Sequence, residues 1–183
     1  LARALHRNRS RPDSRYLQLA TIDAEGYPAN RTVVFRGFVE ASDLLRIVSD
    51  TRSSKVAQIQ AQPMAAACWY FSKTREQFRL RGELTLITAE TAAAEDQNMR
   101  QQLWQNLSDA ARQQFTWPTP GQVRQDSAFP AEPPDHQTPL PHFCLVLLQP
   151  NRVDHLALRG NPQDRMIYTL RPQGDWQTQT VNP

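Results

Sequence analysis

The chain is poor in the residues that would mark several common functions. Of its 183 residues only six are glycine and two are cysteine. The glycines stand singly, so there is no GxGxxG dinucleotide fingerprint and no GxxxxGK[ST] phosphate loop. Any phosphate would have to be held by side chains and a helix N-terminus. Cys68 in "MAAACWYF" and Cys144 in "HFCLVLL" lie in apolar runs without CxxC spacing, which reads as two reduced core thiols in a cytoplasmic compartment. His6, His136, His142 and His155 form no HxxxH or HExxH pair, so no metal site is expected. No apolar run approaches the roughly 18 residues that a membrane span needs, and no membrane partner is expected. No Ser/His/Asp arrangement shows by spacing, and Glu95 and Asp96, adjacent on an expected helix, face different directions. Hydrolytic chemistry therefore has no support.

What remains is a mildly basic chain, with 21 Lys and Arg against 18 Asp and Glu, and a mean hydropathy of −0.63, as in soluble globular proteins. Its length suits a single domain over 1–183. A net charge of +3 is compatible with a general surface bias, a nucleic-acid face or a pocket for a small anion. The chain opens at Leu1 inside a basic amphipathic stretch, "LARALHRNRSRP", with no initiator Met and no apolar signal core, so an upstream segment is expected.

Turn residues and apolar periodicity divide the first 87 residues into four or five strands. "YLQLATI" (16–22) is followed by a turn at Gly26 and Pro28 and then by "RTVVFRGF" (31–38), an apolar run with a cation near each end. "LLRIVSD" (44–50) reads as a third strand, and "SSKVAQIQAQ" as a helix with Ser53 as N-cap and Pro63 as its stop. "AAACWYF" and "QFRLRGELTLIT" are further strands, in which Trp69 and Tyr70 are expected in the core. A helical insertion is expected over about 88–117, with Met99, Leu103 and Leu107 at helical spacing and Trp104 and Trp117 as packing residues. Residues 118–141 hold seven of the chain's 14 prolines and read as a loop, either a mobile lid or an arm that wraps a neighbour. Strands return in "HFCLVLLQPNRVDHLAL", "DRMIYTL" and "WQTQTVNP". The fold class is mainly β (α+β), an antiparallel barrel with appended helices.

Two stretches carry candidate chemistry. In "SDTRSSKVAQI", Arg52, Ser53, Ser54 and Lys55 fall where a strand gives way to a helix, and free N–H groups there favour an anion; an ordinary N-cap with solvated charges is the alternative. In "RTVVFRGF", Arg31 and Arg36 are five positions apart and hence on opposite faces of a flat strand, which a twist or bulge at Gly37 would change. A plain solubility pattern is the alternative there.

Taken in order, these pieces resemble the pyridoxamine 5'-phosphate oxidase family. They are R-x-V-x-x-R/K-G-F, a strand ending in a polar pair, S-x-K opening a helix, a P-x-A strand, "QFRLRGE", "VDHLALRGNPQDRMIY", and a closing "W" with "VNP". The likeness runs from Tyr16 to Pro183 and is nearest to the FMN-binding branch termed pyridoxamine 5'-phosphate oxidase-related. It implies a split β-barrel of about six or seven strands that forms a homodimer with FMN at the subunit interface. By motif, Arg31, Thr32, Val33 and Val34 would line the flavin, and Arg36 would replace a Lys. Val48 and Ser49 would lie beneath the cofactor, and Ser53 and Lys55 would hold its phosphate. Arg52 would supply the cation missing at Ser54. Gln77 would reach the flavin from the partner subunit, and Arg165 would lie near the isoalloxazine.

The departures fall on the substrate side. Asn161 and Gln163 stand where the family has the Arg and His of R-x-H-D-R, Leu156 stands for a Trp, and Leu103, Leu107 and Ala111 offer nothing to a substrate phosphate. The resemblance therefore implies an FMN-dependent oxidoreductase of the family, with an unknown small-molecule substrate other than pyridoxamine phosphate. A non-catalytic flavin-binding module, for storage, sensing or association with haem, is the alternative. A basic nucleic-acid-binding barrel is a third reading, but only six aromatic residues precede residue 71 and they sit mainly in apolar runs, so no nucleic-acid partner is expected.

Overall fold

The computed structural model describes all residues except 125, 127 and 128. Among the described residues eight strands form: β1 (Tyr16–Ile22), β2 (Pro28–Val34), β3 (Leu45–Asp50), β4 (Met64–Phe71), β5 (Glu76–Ile87), β6 (Phe143–Ala157), β7 (Asp164–Leu170) and β8 (Trp176–Val181). The helices are α1 (Ala2–Asn8), α2 (Ser54–Ala61), α3 (Ala94–Gln105) and α4 (Asp109–Gln113). The strands form one antiparallel sheet in the order β2-β1-β4-β5-β6-β7-β8, and β3 pairs with β6 off that path. The count exceeds the six or seven expected.

The split in the barrel comes from β6. Its 15 residues pair with β5 over nearly their whole length, while its other edge is shared. Phe143 to Leu148 take β3, and Arg152 to Ala157 take β7. Between the two halves the β5–β6 register shifts at Arg81/Gly82. A Cβ at Gly82 would lie 1.9 Å from the Gln149 carbonyl oxygen, so the close approach requires glycine.

Alternation along β1, β4 and β5 sends Leu17, Leu19, Trp69, Phe71, Phe78 and Leu80 into the main core. Trp69 is fully buried and donates from Nε1 to the Ser14 carbonyl (3.0 Å). Tyr70, one step along β4, is 46% exposed and not a core residue, because it faces the other way. A second layer forms where Leu103 and Trp104 of α3 cover Phe143, Leu145 and Leu147 of β6. Trp117 is 39% exposed and packs edge-on against Phe129 instead of entering this layer.

Helix α3 starts at Ala94, six residues into the insertion expected from about 88, and Ala93 precedes it without a side-chain cap. Thr88 accepts from Glu90 N within a turn of its own. Among the described residues, 118–141 contain no α-helix or strand. Part of that stretch is tied down: Trp104 Nε1 donates to the Asp135 carbonyl (3.0 Å), Gln113 Nε2 to those of Pro130 and Ala131, and Arg100 Nη2 to that of Leu140 (2.7 Å). These residues are strapped to α3 and α4 of the same chain.

Strand β2 ends at Val34, four residues short of the expected Phe38. There the chain changes partners: Phe35 N still donates to the Arg15 carbonyl, but Arg36 N donates to Arg46 O (2.8 Å) and Arg46 N to Gly37 O (2.9 Å). Gly37 makes this crossover at φ +109°, which glycine adopts without strain.

Candidate cofactor site

Pairing with β1 places Arg31 opposite Leu19, on the side of the sheet that α2 covers. There its guanidinium donates to Thr21 Oγ1 (2.6 Å), the Leu19 carbonyl (3.3 Å) and Gln58 Oε1 (2.8 Å). Lys55, in the first turn of α2, donates to Ser49 Oγ (3.0 Å) and Ser53 Oγ (3.3 Å). Ser53 is the N-cap residue as expected, yet its hydroxyl bonds the Asp50 carbonyl (2.8 Å) and makes no side-chain cap. The first N–H groups of α2 therefore have no capping side chain.

Among the described residues, neither Arg31 nor Lys55 forms an ion pair with a carboxylate. Burial first, and then the neighbouring charge of Arg31, push Lys55 below its ordinary value; burial does the same to Arg31. Cys144, opposite Ser49 in the β3–β6 register, is pushed up to about 12 by burial and stays neutral. Two half-buried, un-neutralised cations beside two hydroxyls and a helix N-terminus fit a dianionic phosphate.

Arg52 does not join them. Its Nε and Nη2 hold Asp50 (2.9 and 2.6 Å), and Nη2 also reaches the carbonyls of Phe115 and Trp117. Burial opposes ionising Asp50, but the hydrogen bonds from Arg52 outweigh it and hold the carboxyl below its ordinary value. The expected compensation for Ser54 is thus corrected: a bidentate carboxylate partner has taken the arginine.

The other predicted residues are divided by strand geometry. Along β2, Arg31 and Val33 face α2 and the core, whereas Thr32 and Val34 face the opposite side, so the four do not line one surface. Val48 and Ser49 likewise point apart; Ser49 meets Lys55, while Val48 packs between the two clusters under α3. Arg36 lies beyond the end of β2 and shares no partner with Arg31. Its Nε is buried without a hydrogen bond, as is that of Arg46, and burial followed by the charge of Arg15 lowers Arg36 from its ordinary value.

Gln77 and Arg165 form a second group. Register aligns Tyr70, Gln77, Leu156 and Arg165 across β4, β5, β6 and β7, on the sheet face away from the core. Arg165 donates to both oxygens of Asp154 (3.1 and 2.8 Å), and Arg79 makes a salt bridge to the same carboxylate from β5. Hydrogen bonds from Arg165, and then the charge and hydrogen bond of Arg79, hold Asp154 below its ordinary value against burial. Within one chain this group does not meet the Arg31–Lys55 group.

Three polar partners escaped the reading of the sequence: Thr21, Gln58 and Asp154. Gln58 could have been found, since it follows Lys55 by three positions on a helix and so shares its face.

A forked antiparallel barrel with an unpaired cationic cluster at a helix N-terminus is a barrel suited to a phosphorylated cofactor. Comparison with known proteins makes this specific. The family model for the pyridoxamine 5'-phosphate oxidase FMN-binding domain matches residues 1–88. Pyridoxine/pyridoxamine 5'-phosphate oxidase 2 of Arabidopsis thaliana is 37% identical over 186 residues, covering 98% of this chain and 93% of that protein. The crystal structure of a pyridoxamine 5'-phosphate oxidase-related, FMN binding protein from Nostoc punctiforme is 54% identical with a TM-score of 0.95, covering 100% of this chain and 95% of the other. PhzG from Burkholderia lata, at 17% identity and a TM-score of 0.79 over 100% and 90% of the two chains, shares the fold. The chain belongs to the pyridoxamine 5'-phosphate oxidase family, has its split barrel, and takes FMN as cofactor.

Proposed function

We propose that the protein is a homodimeric, FMN-dependent oxidoreductase acting on a small molecule other than pyridoxamine phosphate, with residues 1–183 as one FMN-binding domain. Arg31, Lys55, Ser49 and Ser53 hold the cofactor phosphate at the start of α2. FMN supplies the redox chemistry when bound, and the protein contributes binding, orientation and electrostatics. The homodimer reading rests on the separation of the two residue groups: Gln77 and Arg165 lie on a sheet face that cannot reach Lys55 of the same chain but is open to a second copy. Two unpaired thiols, Cys68 and Cys144, support a reducing, cytoplasmic setting.

The observation that carries the substrate reading is the state of the helical insertion. Leu103 and Leu107 are buried at 5% and 4% exposure, and Ala111 packs against the same cluster as Leu107. That face of α3 and α4 is committed to packing and offers no donor to a second phosphate. Asn161 and Gln163 add no side chain that ionises near neutral pH. The test is anaerobic reduction of the bound flavin. Bleaching by NAD(P)H or an amine, with no turnover of pyridoxamine phosphate, is the expected result. Multiple-turnover oxidation of pyridoxamine phosphate would overturn the substrate reading, and a flavin that no donor reduces would favour a non-catalytic module. Size-exclusion with light scattering tests the dimer.

A further inference from the structure

Arg31 sits in a closed ring of neutral acceptors. Its Nη1 donates to Thr21 Oγ1 (2.6 Å), its Nη2 donates to Gln58 Oε1 (2.8 Å), and the Thr21 hydroxyl donates in turn to the same Gln58 oxygen (2.6 Å). Because the two acceptors touch each other, they occupy the edge of the guanidinium between Nη1 and Nη2. The Leu19 carbonyl takes a further bond from Nη1 (3.3 Å). The other edge, Nε and the second N–H of Nη2, has no protein partner among the described residues, and it keeps the fork that suits a phosphate.

Each member of the ring is fixed from elsewhere. Register sets Arg31 opposite Leu19, and Thr21 is two positions along β1, so the Thr21 and Arg31 side chains share one face of the β1–β2 ladder as diagonal neighbours. Thr21 is fully buried, and its β-branched side chain has little rotamer freedom. Gln58 follows Lys55 by three positions on α2 and shares its face. Only an amide oxygen can accept from both donors, so the network also sets which way round the Gln58 amide lies.

Neither acceptor carries a charge. A carboxylate would hold the guanidinium at least as firmly but would neutralise it, as Asp50 does for Arg52. With an amide and a hydroxyl instead, Arg31 keeps its full charge beside Lys55. The cluster is accordingly under strain: burial lowers both groups, and the charge of Arg31 lowers Lys55 further.

We propose that Thr21 and Gln58 are positioning residues for the cofactor, holding Arg31 by one edge so that its other edge and its whole charge are left for the FMN phosphate. The inference rests on the reading that Arg31 and Lys55 hold that phosphate. It adds a requirement on residue 58: the side chain must accept two hydrogen bonds and must be neutral.

The experiment compares Gln58→Glu with Gln58→Met by flavin fluorescence titration and by thermal melts of the flavin-free protein. A merely structural role makes Glu the milder change, since it keeps both accepted bonds. The proposal reverses that order. Gln58→Glu should melt higher without flavin, because it relieves the repulsion between Arg31 and Lys55, yet it should bind FMN at least about tenfold more weakly than the parent and more weakly than Gln58→Met. Thr21→Val should weaken FMN binding by about fivefold, one hydrogen bond's worth, and Thr21→Ser should restore it. Arg31→Met is the control. If it leaves FMN affinity unchanged, the phosphate reading itself fails. If Arg31→Met weakens binding, the present inference is overturned by a Gln58→Glu variant that binds FMN as the parent does, binds it better than Gln58→Met or melts lower without flavin, or by a Thr21→Ser variant no better than Thr21→Val.

Discussion

Lys55→Met is the most demanding test of the cofactor site, because it should move two measurements in opposite directions. Lys55 donates to two serine hydroxyls but faces Arg31 and has no carboxylate partner. Its lowered pKa means that the folded apoprotein disfavours the ammonium relative to water. Methionine keeps the length and removes the charge, and Ser49 and Ser53, 3.2 Å apart, still have each other. The apoprotein should therefore melt higher. The holoprotein loses a charge-assisted contact to the phosphate worth about 1.5–3 kcal/mol, so the FMN dissociation constant should rise roughly 10- to 150-fold. The pH dependence follows with the same division. Because the folded pKa is the lower one, the unfolded chain binds more protons between it and the ordinary lysine value of about 10.4. Apoprotein stability attributable to Lys55 should rise with pH across that window, whereas FMN affinity should fall as the ammonium is lost. Flavin fluorescence titration and thermal melts of both forms read these effects. An apoprotein destabilised by Lys55→Met, or FMN affinity unchanged, would refute the reasoning.

Gly82→Ala should cost at least about 1–3 kcal/mol, since the new Cβ lands 1.9 Å from the Gln149 carbonyl oxygen and neither strand can yield cheaply; a melting temperature within error of the parent would count against the bulge. Asp154→Asn should weaken the bridge joining β5, β6 and β7 through Arg79 and Arg165 by about 1 kcal/mol, given their partial exposure. Because the folded pKa of Asp154 is depressed, its contribution is complete above the unfolded aspartate value of about 3.9 and is lost as pH falls through the folded value; acid unfolding of the variant should lack that component. Cys144, fully buried with its thiol pushed up to about 12, should resist iodoacetamide at neutral pH until the protein unfolds, and native-state labelling would show that β3 and β6 separate.

Most of the fold was legible because its signals are local. Turn residues and apolar runs located the strands from Tyr16 onward, and Ser108 caps α4 by accepting from Ala111 N. The misplacements share a physical cause. The apolar residues that continue past Val34 extend the expected β2 to Phe38, but from Arg36 onward the run serves a different neighbour, β3. Periodicity reports which face a residue occupies and is silent about which strand it pairs with. The start of α3 is displaced for a related reason: Thr88 has the chemistry of a cap, yet its hydroxyl closes a turn with Glu90 while its N–H donates to Thr91 Oγ1.

For the site, residue types were easier to read than allegiances. Arg52 and Lys55 look equivalent in "TRSSK", and only the fold shows that Asp50 claims one and leaves the other unpaired. Side-chain alternation also limits what a contiguous motif can do: Arg31 to Val34 present two surfaces, and a cofactor touching both side-chain sets must lie at an edge or between two copies of the chain. The same geometry separates Gln77 and Arg165 from Lys55. If one chain held the whole site, Gln77→Ala would weaken FMN binding equally in a monomeric variant and in the parent. If two chains share it, as proposed, any substitution that dissociates the dimer should release FMN as completely as loss of Lys55, although it touches none of the phosphate ligands. Mixing Lys55→Met with Gln77→Ala chains would then restore one intact site in each mixed dimer, whereas a site built within one chain would gain nothing from mixing.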